Sequence, residues 1–518
     1  MKKGIDPSLK TVSFGPDQPL LPEDIESFYK SFEKDGGIRV ILSEKGKTVV
    51  EESRLRFEEL VSNGEPVYGT TTGFGPFVRF ESNSDTTKQA ESLLNHLGVG
   101  FGKFAPEKIV FSTALLRLST LAQGFSGIRP ETWFAYSNIL MQRDLPSIPE
   151  IGSLGASGDL IPLSFLGRIF LNNASIRTDT GTVSSEEYRK RNKIPDRILE
   201  SREALAFTNG LSFSQSYAIF ALVNAERVLS NLETLVGIVY ALLGANKSHL
   251  RSELHEARLH PGQIVSAKNI LTVALCFSDS RSSKNLQEVY SLRTAPQVIG
   301  AVRDQLKESR NMLQLEIQGV DDNPLFFREK DGASFAVHGG NFQGQHLSFL
   351  SDRINTSVVQ CAILAERILD LLIDPNRNGG LPLLLSPQPG AESGVAGVQL
   401  TATALLAELR SNSGNFANYS IPTNGGNQDI VSMAGLASRK AYEQTLLASG
   451  CLASLWIALG QYDFLFSNSS SLNRNLKPEM KSKFFLPDFE PIRRDRPLWE
   501  EIRSLSDFFL EREIFPNS

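Results

Sequence analysis

The sequence has few cysteines, no long basic run and no long apolar run, and each absence argues against a class of protein. Three isolated cysteines occur among 518 residues, without CxxC spacing, which argues against a disulfide scaffold or zinc knuckle and fits a reducing compartment. The net charge is -5 and no basic run is long, so nucleic acid is not an expected partner. No run of 18 apolar residues occurs and the N-terminus lacks an apolar core, so we expect neither a membrane segment nor a secretory signal but a cytoplasmic protein.

Long apolar stripes at helical spacing predict a mainly α fold. One stripe runs from Leu222 to Leu243 in steps of three and four, a second runs from Leu347 to Leu372, and a third apolar segment covers 440–465. Stripes of this length bury one face against other helices, as in a bundle. We therefore predict an elongated helical bundle with C-terminal helices over residues 206–518.

The first 205 residues have a mixed pattern and are predicted to form a separate N-terminal lobe. "IRVILS" (38–43) and "TVVEES" (48–53) predict short strands or strand–helix transitions. "PEKIVFSTALLRLSTLAQG" predicts a helix that begins near Pro106 and stops at Gly124. The lobe also carries the most unusual loop of the chain.

This loop, "GSLGASGDLIPLS" (152–164), admits two interpretations. Ser157 or Asp159 is suited to cap a helix. Alternatively, the glycines allow a tight backbone in which the amide nitrogen of Gly158 approaches the carbonyl carbon of Ala156; loss of two waters would leave a methylidene-imidazolone, an electrophile made from the chain. A second Ala-Ser-Gly, at 448–450, lies in an apolar helical context, where it is interpreted as a small-residue packing patch.

The loop and its companions resemble the histidine and aromatic amino acid ammonia-lyases and the related 2,3-aminomutases. Eight blocks follow in family order and end at about residue 433. Besides the loop they are "VYGTTTGFG" (67–75), "REALAFTNG" (202–210), "LHPGQ" (259–263), "LQEVYSLRTAPQV" (286–298), "VDDNPLF" (320–326), "HGGNFQGQ" (338–345) and "IPTNGGNQDIVSM" (421–433). The resemblance implies the histidine/phenylalanine ammonia-lyase-like fold.

The resemblance also implies how the chemistry is divided. Expelling ammonia requires an electrophile that captures the amino nitrogen, and the family builds one, 4-methylidene-imidazole-5-one, from the residues that match Ala156, Ser157 and Gly158, without an external cofactor. The base that takes the β-proton is implied to be Tyr68. A free tyrosine has a pKa of about 10, so this role requires a site that favours the phenolate or an alkaline optimum.

Substrate-binding roles follow from the other blocks. Arg293 matches the family's carboxylate binder, and its planar fork suits two carboxylate oxygens. Tyr290 and Gln287 lie on the same segment, at a spacing that one helical turn would bring to one face. By resemblance, Asn209 and Asn341 are polar groups near the ring and the carboxylate, and Phe342 is the aromatic that packs beside the ring.

Two positions bear on the identity of the amino acid. His96-Leu97 resembles the selectivity pair of tyrosine ammonia-lyases, because an imidazole can hydrogen-bond a phenol hydroxyl. Asn427-Gln428 stands where histidine lyases typically have Gln-Glu. Both pairs favour an aromatic ring over an imidazole as the substrate's side chain.

Some positions depart from the family pattern. Thr71 replaces the usual Asn of "NTGFG", Asp321 replaces a Thr or Asn before "DNP", and Gln343 replaces the His of "NFHG". These departures would alter the pocket or the surroundings of the base. Three histidines, at 249, 255 and 260, have no standard zinc spacing, so no metal site is predicted.

The leading hypothesis is an aromatic ammonia-lyase that converts tyrosine to trans-coumarate. A tyrosine 2,3-aminomutase and a histidine ammonia-lyase that gives urocanate are the alternatives, and a non-catalytic helical scaffold with a degenerate loop is a third. An enzyme of the fumarase and aspartase type is disfavoured because a "GSSxMPxKxN" segment is missing. The resemblance implies a homotetramer in which neighbouring chains complete each active site.

Overall fold

The computed structural model describes residues 9–82, 85–172, 174–278, 285–467 and 475–515. The first eight residues of the segment considered for a secretory signal lie outside these ranges. The described residues contain 17 α-helices and eight short strands, which confirms the prediction of a mainly helical fold. The helices are α1 Pro22–Asp35, α2 Glu44–Ser62, α3 Thr86–His96, α4 Glu107–Leu121, α5 Pro130–Ser137, α6 Leu160–Gly167, α7 Ser185–Asn192, α8 Ser201–Thr208, α9 Ser212–Leu243, α10 Ser252–Glu256, α11 Pro261–Leu275, α12 Tyr290–Arg293, α13 Ala295–Gln318, α14 Gln345–Ile373, α15 Ala396–Ser411, α16 Ala434–Ser467 and α17 Trp499–Glu511.

The strands form four separate two-stranded sheets, three antiparallel and one parallel. They are β1 Thr11–Phe14, β2 Arg39–Leu42, β3 Phe101–Phe104, β4 Pro149–Ile151, β5 Ser175–Thr178, β6 Gly181–Ser184, β7 Leu325–Arg328 and β8 Ser334–Val337. The parallel pair is β1–β2, with Thr11 opposite Arg39. Sheets of this size are not independently stable, so the helices that pack on them supply the core.

Contacts divide the chain into two compact units that do not follow the sequence order. The first unit comprises residues 1–220, 311–351 and 415–439, and the second comprises 221–310, 352–414 and 440–518. The loop 152–164 and most of the family-like blocks belong to the first unit. The predicted lobe boundary between residues 205 and 206 stays a prediction.

Of the two segments predicted to be strands or strand–helix transitions, one does not form a strand. "IRVILS" contains β2, but "TVVEES" lies inside helix α2. The side chain of Ser43 caps this helix by accepting a hydrogen bond of 2.9 Å from the backbone N–H of Gly46. Val50 and Phe57, seven residues apart, are buried on one face, and this helical spacing outweighs the strand preference of the two valines.

The predicted helix between Pro106 and Gly124 is confirmed as α4, and the stripe from Leu222 to Leu243 is confirmed within α9. Most residues of α9 are buried on all sides, including polar ones. Within the second unit, buried Asn224 donates to the hydroxyl of Thr445 at 3.0 Å, and buried Glu233 pairs with Arg303 at 2.6 Å. Paired polar groups of this kind avoid the cost of burying an unsatisfied polar atom.

The other two long apolar segments are confirmed as parts of α14 and α16. Among the described residues, α16 is the helix that is long and apolar enough to cross a membrane by length and composition, and 89% of its apolar 18-residue window is buried inside the protein. The second Ala-Ser-Gly lies within α16, where the hydroxyl of Ser449 donates to the carbonyl of Leu446 at 2.8 Å. That tripeptide is therefore ordinary helix, as predicted.

Candidate active site

The loop after β4 leads directly into helix α6, but no side chain caps that helix. Asp159 occupies the N-cap position without a capping hydrogen bond. Its carboxylate instead accepts from the hydroxyl of Ser153 and from the backbone N–H and hydroxyl of Ser214, the last two at 2.8 and 2.6 Å. Burial raises the pKa of Asp159 to about 6, although these hydrogen bonds oppose the shift. The carboxylate therefore binds the loop to the start of α9 rather than capping α6.

Gly158 and Gly210 meet backbone to backbone. Gly158 has φ of +72°, and a Cβ built on it would lie 2.3 Å from the carbonyl oxygen of Gly210. The backbone N–H of Asp159 donates to that same oxygen at 2.6 Å. Any side chain at position 158 would break this contact, so the close approach requires glycine.

Ser157 is held from two directions. The side-chain amide of Asn209 donates to the carbonyl oxygen of Ser157 at 2.8 Å, and the side-chain amide of Gln428 donates to its hydroxyl at 2.6 Å. The Oδ1 atom of Asn209 is buried and has no hydrogen-bond partner among the described residues. A buried acceptor without a partner is costly, and this one lies beside the loop, where an additional donor would satisfy it.

Tyr68 presents its hydroxyl to the backbone of its own segment. The backbone N–H of Gly75 donates to the Tyr68 oxygen at 2.8 Å, and the backbone N–H of Tyr68 donates to Nε2 of His338 at 3.2 Å. Burial raises the pKa of Tyr68, and the Gly75 hydrogen bond partly opposes this shift. The amide of Gly75 stabilises the phenolate, but the desolvation of Tyr68 has the larger effect, so its pKa remains raised.

His96 is the last residue of α3, and its ring is oriented by its own helix. Nδ1 lies 3.1 Å from the carbonyl oxygen of Ser92. Because a carbonyl only accepts, Nδ1 carries the hydrogen, and in the neutral ring Nε2 is then an acceptor. His96 thus offers an acceptor to a ligand, while neighbouring Leu97 is buried.

One cavity of about 740 Å³ lies beside the loop in the first unit, with Ser157 in its wall. Eight sequence-predicted site residues contribute to its wall: Tyr68, His96, Leu97, Ser157, Asn209, Phe342, Asn427 and Gln428. The cavity size suits a small organic molecule. Ala156 and Gly158 flank the lining residue Ser157 without lining the cavity themselves.

Four predicted substrate-binding residues are not in this wall. Asn341 lies in the first unit, where its amide donates to the carbonyl oxygen of Val320 at 3.2 Å. Gln287, Tyr290 and Arg293 belong to the second unit. Tyr290 and Arg293 lie on α12, with the guanidinium 4.6 Å from the centre of the tyrosine ring, whereas Gln287 precedes that short helix.

The cavity wall also contains polar residues that the sequence interpretation did not single out. Asn323 and Asn424 line it, and both lie in quoted blocks, "VDDNPLF" and "IPTNGGNQDIVSM". Asn323 is nearly buried, and its Oδ1 accepts from the backbone N–H of Gly339 at 2.8 Å. Both asparagines therefore stood in blocks that the sequence analysis quoted, but residue type alone did not show that they line a cavity.

The rings of His249 and His255, two of the three grouped histidines, make hydrogen bonds with the protein. Nε2 of His255 lies 3.0 Å from the carbonyl oxygen of His249, and its Nδ1 lies 2.9 Å from the amide of Gln263. The backbone N–H of Glu288 donates to Nε2 of His249 at 3.2 Å. These rings connect α10 and α11 to the segments that carry His249 and Glu288 within the second unit.

The chain resembles known proteins in both sequence and structure. The sequence profile of the family "Aromatic amino acid lyase" matches residues 23–476. A tyrosine ammonia-lyase of Cereibacter sphaeroides is 33% identical over 501 residues, which are 92% of this chain and 94% of that protein. A histidine ammonia-lyase of Caldanaerobacter subterraneus is 34% identical over 407 residues, which are 78% of this chain and 79% of that protein.

The structural comparison agrees with the sequence comparison. The crystal structure of a tyrosine aminomutase from Streptomyces globisporus superposes with a TM-score of 0.84 at 28% identity, covering 96% of this chain and 97% of that chain. The match extends over nearly the whole of both chains. The predicted ammonia-lyase-like fold is therefore confirmed.

Proposed function

This chain belongs to the aromatic amino acid lyase family of carbon–nitrogen lyases, whose substrates are free amino acids. We propose that it eliminates ammonia from an aromatic L-amino acid. The preferred substrate is tyrosine, and the products are trans-coumarate and ammonia. The observation that carries the proposal is the loop geometry: Ser157 is fixed between Asn209 and Gln428 at the wall of the cavity.

The residues of the loop fit a self-made methylidene-imidazolone. The amide nitrogen of Gly158 bonds to the carbonyl carbon of Ala156, whose oxygen leaves as one water, and Ser157 loses its α-hydrogen and hydroxyl as a second water. The contact between Gly158 and Gly210 leaves no room for a Cβ, and the unpartnered Oδ1 of Asn209 lies beside the loop. When formed, this ring supplies the electrophile that captures the substrate's amino nitrogen.

The remaining roles belong to ordinary side chains. Tyr68 takes the β-proton, and the N–H of Gly75 stabilises its phenolate. Arg293 binds the substrate carboxylate with Gln287 and Tyr290 on its segment, and Asn209 and Asn341 add polar contacts to the ring and carboxylate. Phe342, in the cavity wall, packs beside the ring.

Tyrosine is favoured by the acceptor at His96. With its Nδ1 hydrogen bonded to Ser92, the imidazole accepts at Nε2 from the phenol hydroxyl of a substrate, whereas a phenylalanine ring offers no donor. Asn427 and Gln428 line the same cavity with neutral amides rather than a carboxylate, so nothing in this pair favours an imidazole substrate.

We also propose a homotetramer in which neighbouring chains complete each site, located in the cytoplasm. The β3–β4 pair exposes large apolar side chains, with Phe101 78% and Ile151 49% exposed, and exposed apolar patches mark association surfaces. All three cysteines are buried and free, as in proteins of reducing compartments. Native mass spectrometry of the purified protein tests the number of chains.

The test is incubation of the purified enzyme with tyrosine, phenylalanine and histidine, with products separated by chromatography. We expect coumarate and ammonia from tyrosine at the highest kcat/KM. Accumulation of a β-amino acid from tyrosine would instead identify an aminomutase, and urocanate without coumarate would identify a histidine lyase. Ser157→Ala should remove turnover, whereas Ser449→Ala, in the second Ala-Ser-Gly, should retain it.

A further inference from the structure

A buried ion pair lies directly behind the loop. Arg117 and Asp321 are 204 residues apart in sequence, and the Nη1 atom of Arg117 donates to Oδ1 of Asp321 at 2.8 Å. Arg117 is fully buried, and its Nε donates to the carbonyl oxygen of Ala206 at 2.7 Å. A charged pair at this depth is expensive to desolvate and is weak evidence for stability alone, so its position calls for an explanation.

The pair is connected to the loop through one peptide group. The backbone N–H of Leu211 donates to Oδ2 of Asp321 at 2.7 Å. The carbonyl oxygen of the same peptide, that of Gly210, accepts from the N–H of Asp159 at 2.6 Å. A trans peptide points its N–H and C=O in opposite directions, so holding the N–H on Asp321 aims the carbonyl at the residue that follows Gly158.

The packing is equally direct. A Cβ built on Gly210 would lie 1.8 Å from Nη1 of Arg117 and 2.8 Å from Oδ1 of Asp321. On its other side Gly210 touches Gly158, where a Cβ would meet the Gly210 carbonyl at 2.3 Å. Gly210 is thus enclosed between the loop and the ion pair. A shift of Gly158 towards Gly210 would therefore also displace Arg117 or Asp321.

A second buried pair lies beside the first. Arg202 and Asp322 are fully buried and hydrogen bonded to each other. Nη2 of Arg117 is 3.7 Å from Asp322, too far for a hydrogen bond, so Asp321 is the carboxylate that hydrogen bonds Arg117. Asp321 stands where the resemblance gives a Thr or Asn, so the acceptor for Arg117 in this chain is a carboxylate.

We propose that Arg117 and Asp321 are positioning residues for the cyclisation of the loop: they hold the Gly210–Leu211 peptide as a rigid backstop that keeps the Gly158 amide close to the Ala156 carbonyl. This rests on the proposed function, because it concerns how the electrophile forms. Neither residue lines the cavity. Its effect is to remove backbone freedom before the reaction, which speeds an intramolecular ring closure.

The test follows ring formation in the full-length chain as it is made. Protein from a pulse of cell-free synthesis is quenched in acid at intervals, and intact mass reports the fraction that has lost two waters. Asp321→Leu removes both acceptors of the Arg117 and Leu211 hydrogens, and we expect the loss to slow by about tenfold or more, where tenfold corresponds to ~1.4 kcal/mol. Asp321→Asn, which keeps one acceptor, should fall between Asp321→Leu and wild type.

Glu203→Gln is the matched control, because Glu203 is also a fully buried carboxylate paired with an arginine, Arg129, whereas the atoms nearest to a Cβ built on Gly210 belong to Arg117 and Asp321. It should lose water at the wild-type rate. Circular dichroism separates folded from unfolded product; if Asp321→Leu does not fold, the comparison of Asp321→Asn with Glu203→Gln decides. A folded Asp321 variant that loses two waters as fast as wild type would overturn the inference. Wild-type protein that never loses two waters would instead contradict the proposed function.

Discussion

The side-chain amide of Gln428 donates a 2.6 Å hydrogen bond to the hydroxyl of Ser157, across 271 residues of sequence. In the proposed ring formation this hydroxyl oxygen leaves as water. A donor placed on a departing oxygen stabilises the charge that develops there. The contact therefore connects a residue of the cavity wall to the proposed ring formation at Ser157.

Gly158→Ala should prevent ring formation. The positive φ alone costs a non-glycine residue roughly 1–2 kcal/mol, and the new Cβ would lie 2.3 Å from the Gly210 carbonyl. We expect folded protein of unmodified mass without turnover. Gly397→Ala is the control, since a Cβ there meets no atom within 4 Å; it should be active. Normal turnover in Gly158→Ala would contradict the close-contact explanation.

Tyr68→Phe should reduce kcat/KM by about 10²-fold or more, the usual contribution of a general base. Because burial raises the pKa of Tyr68, the phenolate is scarce at neutral pH, and wild-type activity should climb with a slope of one in log kcat/KM as the pH becomes alkaline. Tyr29→Phe, outside the cavity, should keep this profile. An unchanged alkaline rise in Tyr68→Phe would remove Tyr68 as the titrating base.

His96→Phe should shift selectivity from tyrosine towards phenylalanine. The lost hydrogen bond to the phenol is worth about 1 kcal/mol, roughly fivefold in the ratio of the two kcat/KM values. Asn95→Ala is a suitable control because Asn95 lies next to His96 but bonds Arg168 outside the cavity wall. If His96→Phe leaves the ratio of kcat/KM for tyrosine to that for phenylalanine unchanged, the imidazole does not hydrogen-bond the phenol of the substrate.

Asp159 should make the folded protein less stable as the pH rises from about 4 to 6. Its pKa is raised to about 6 by burial, so in this window the folded state keeps a proton that the unfolded state has lost, and the free energy of unfolding falls with increasing pH. Denaturant unfolding of wild type and Asp159→Asn across this range measures the difference. Exposed Asp17, whose pKa is lowered by a hydrogen bond from Ser43, should instead show a free energy of unfolding that rises with pH only below about pH 4, and no slope between pH 4 and 6, when compared with Asp17→Asn. A pH-independent difference for Asp159→Asn would show that its carboxyl is not shifted.

Periodicity was enough to predict the helical core. Apolar residues at three- and four-residue steps locate α4, α9, α14 and α16, because residues that share the buried face of a helix recur at that spacing. The strand interpretation of "TVVEES" was wrong because those six residues are only the middle of a longer helix. Its N-cap, Ser43, and the buried Phe57, at helical spacing from Val50, both lie outside them.

The cavity wall could be predicted in part from the sequence, but its hydrogen bonds could not. The motif blocks named Tyr68 and Gln428 and the selectivity pair named His96, and all three line one cavity. Asp159, in contrast, has the sequence of a helix cap, yet its carboxylate binds Ser214 because burial leaves no water to compete for it. The pairing of Arg117 with Asp321 is a long-range contact that no spacing rule reports.

Peptide mass spectrometry of the loop fragment that contains Ala156, Ser157 and Gly158 tests the formation of the electrophile directly. We expect this fragment from active wild-type enzyme to be lighter than its sequence mass by two waters, and Ser157→Ala protein to lack that loss and to be inactive. An unmodified loop fragment in enzyme that still forms coumarate would show that the reaction does not use this ring.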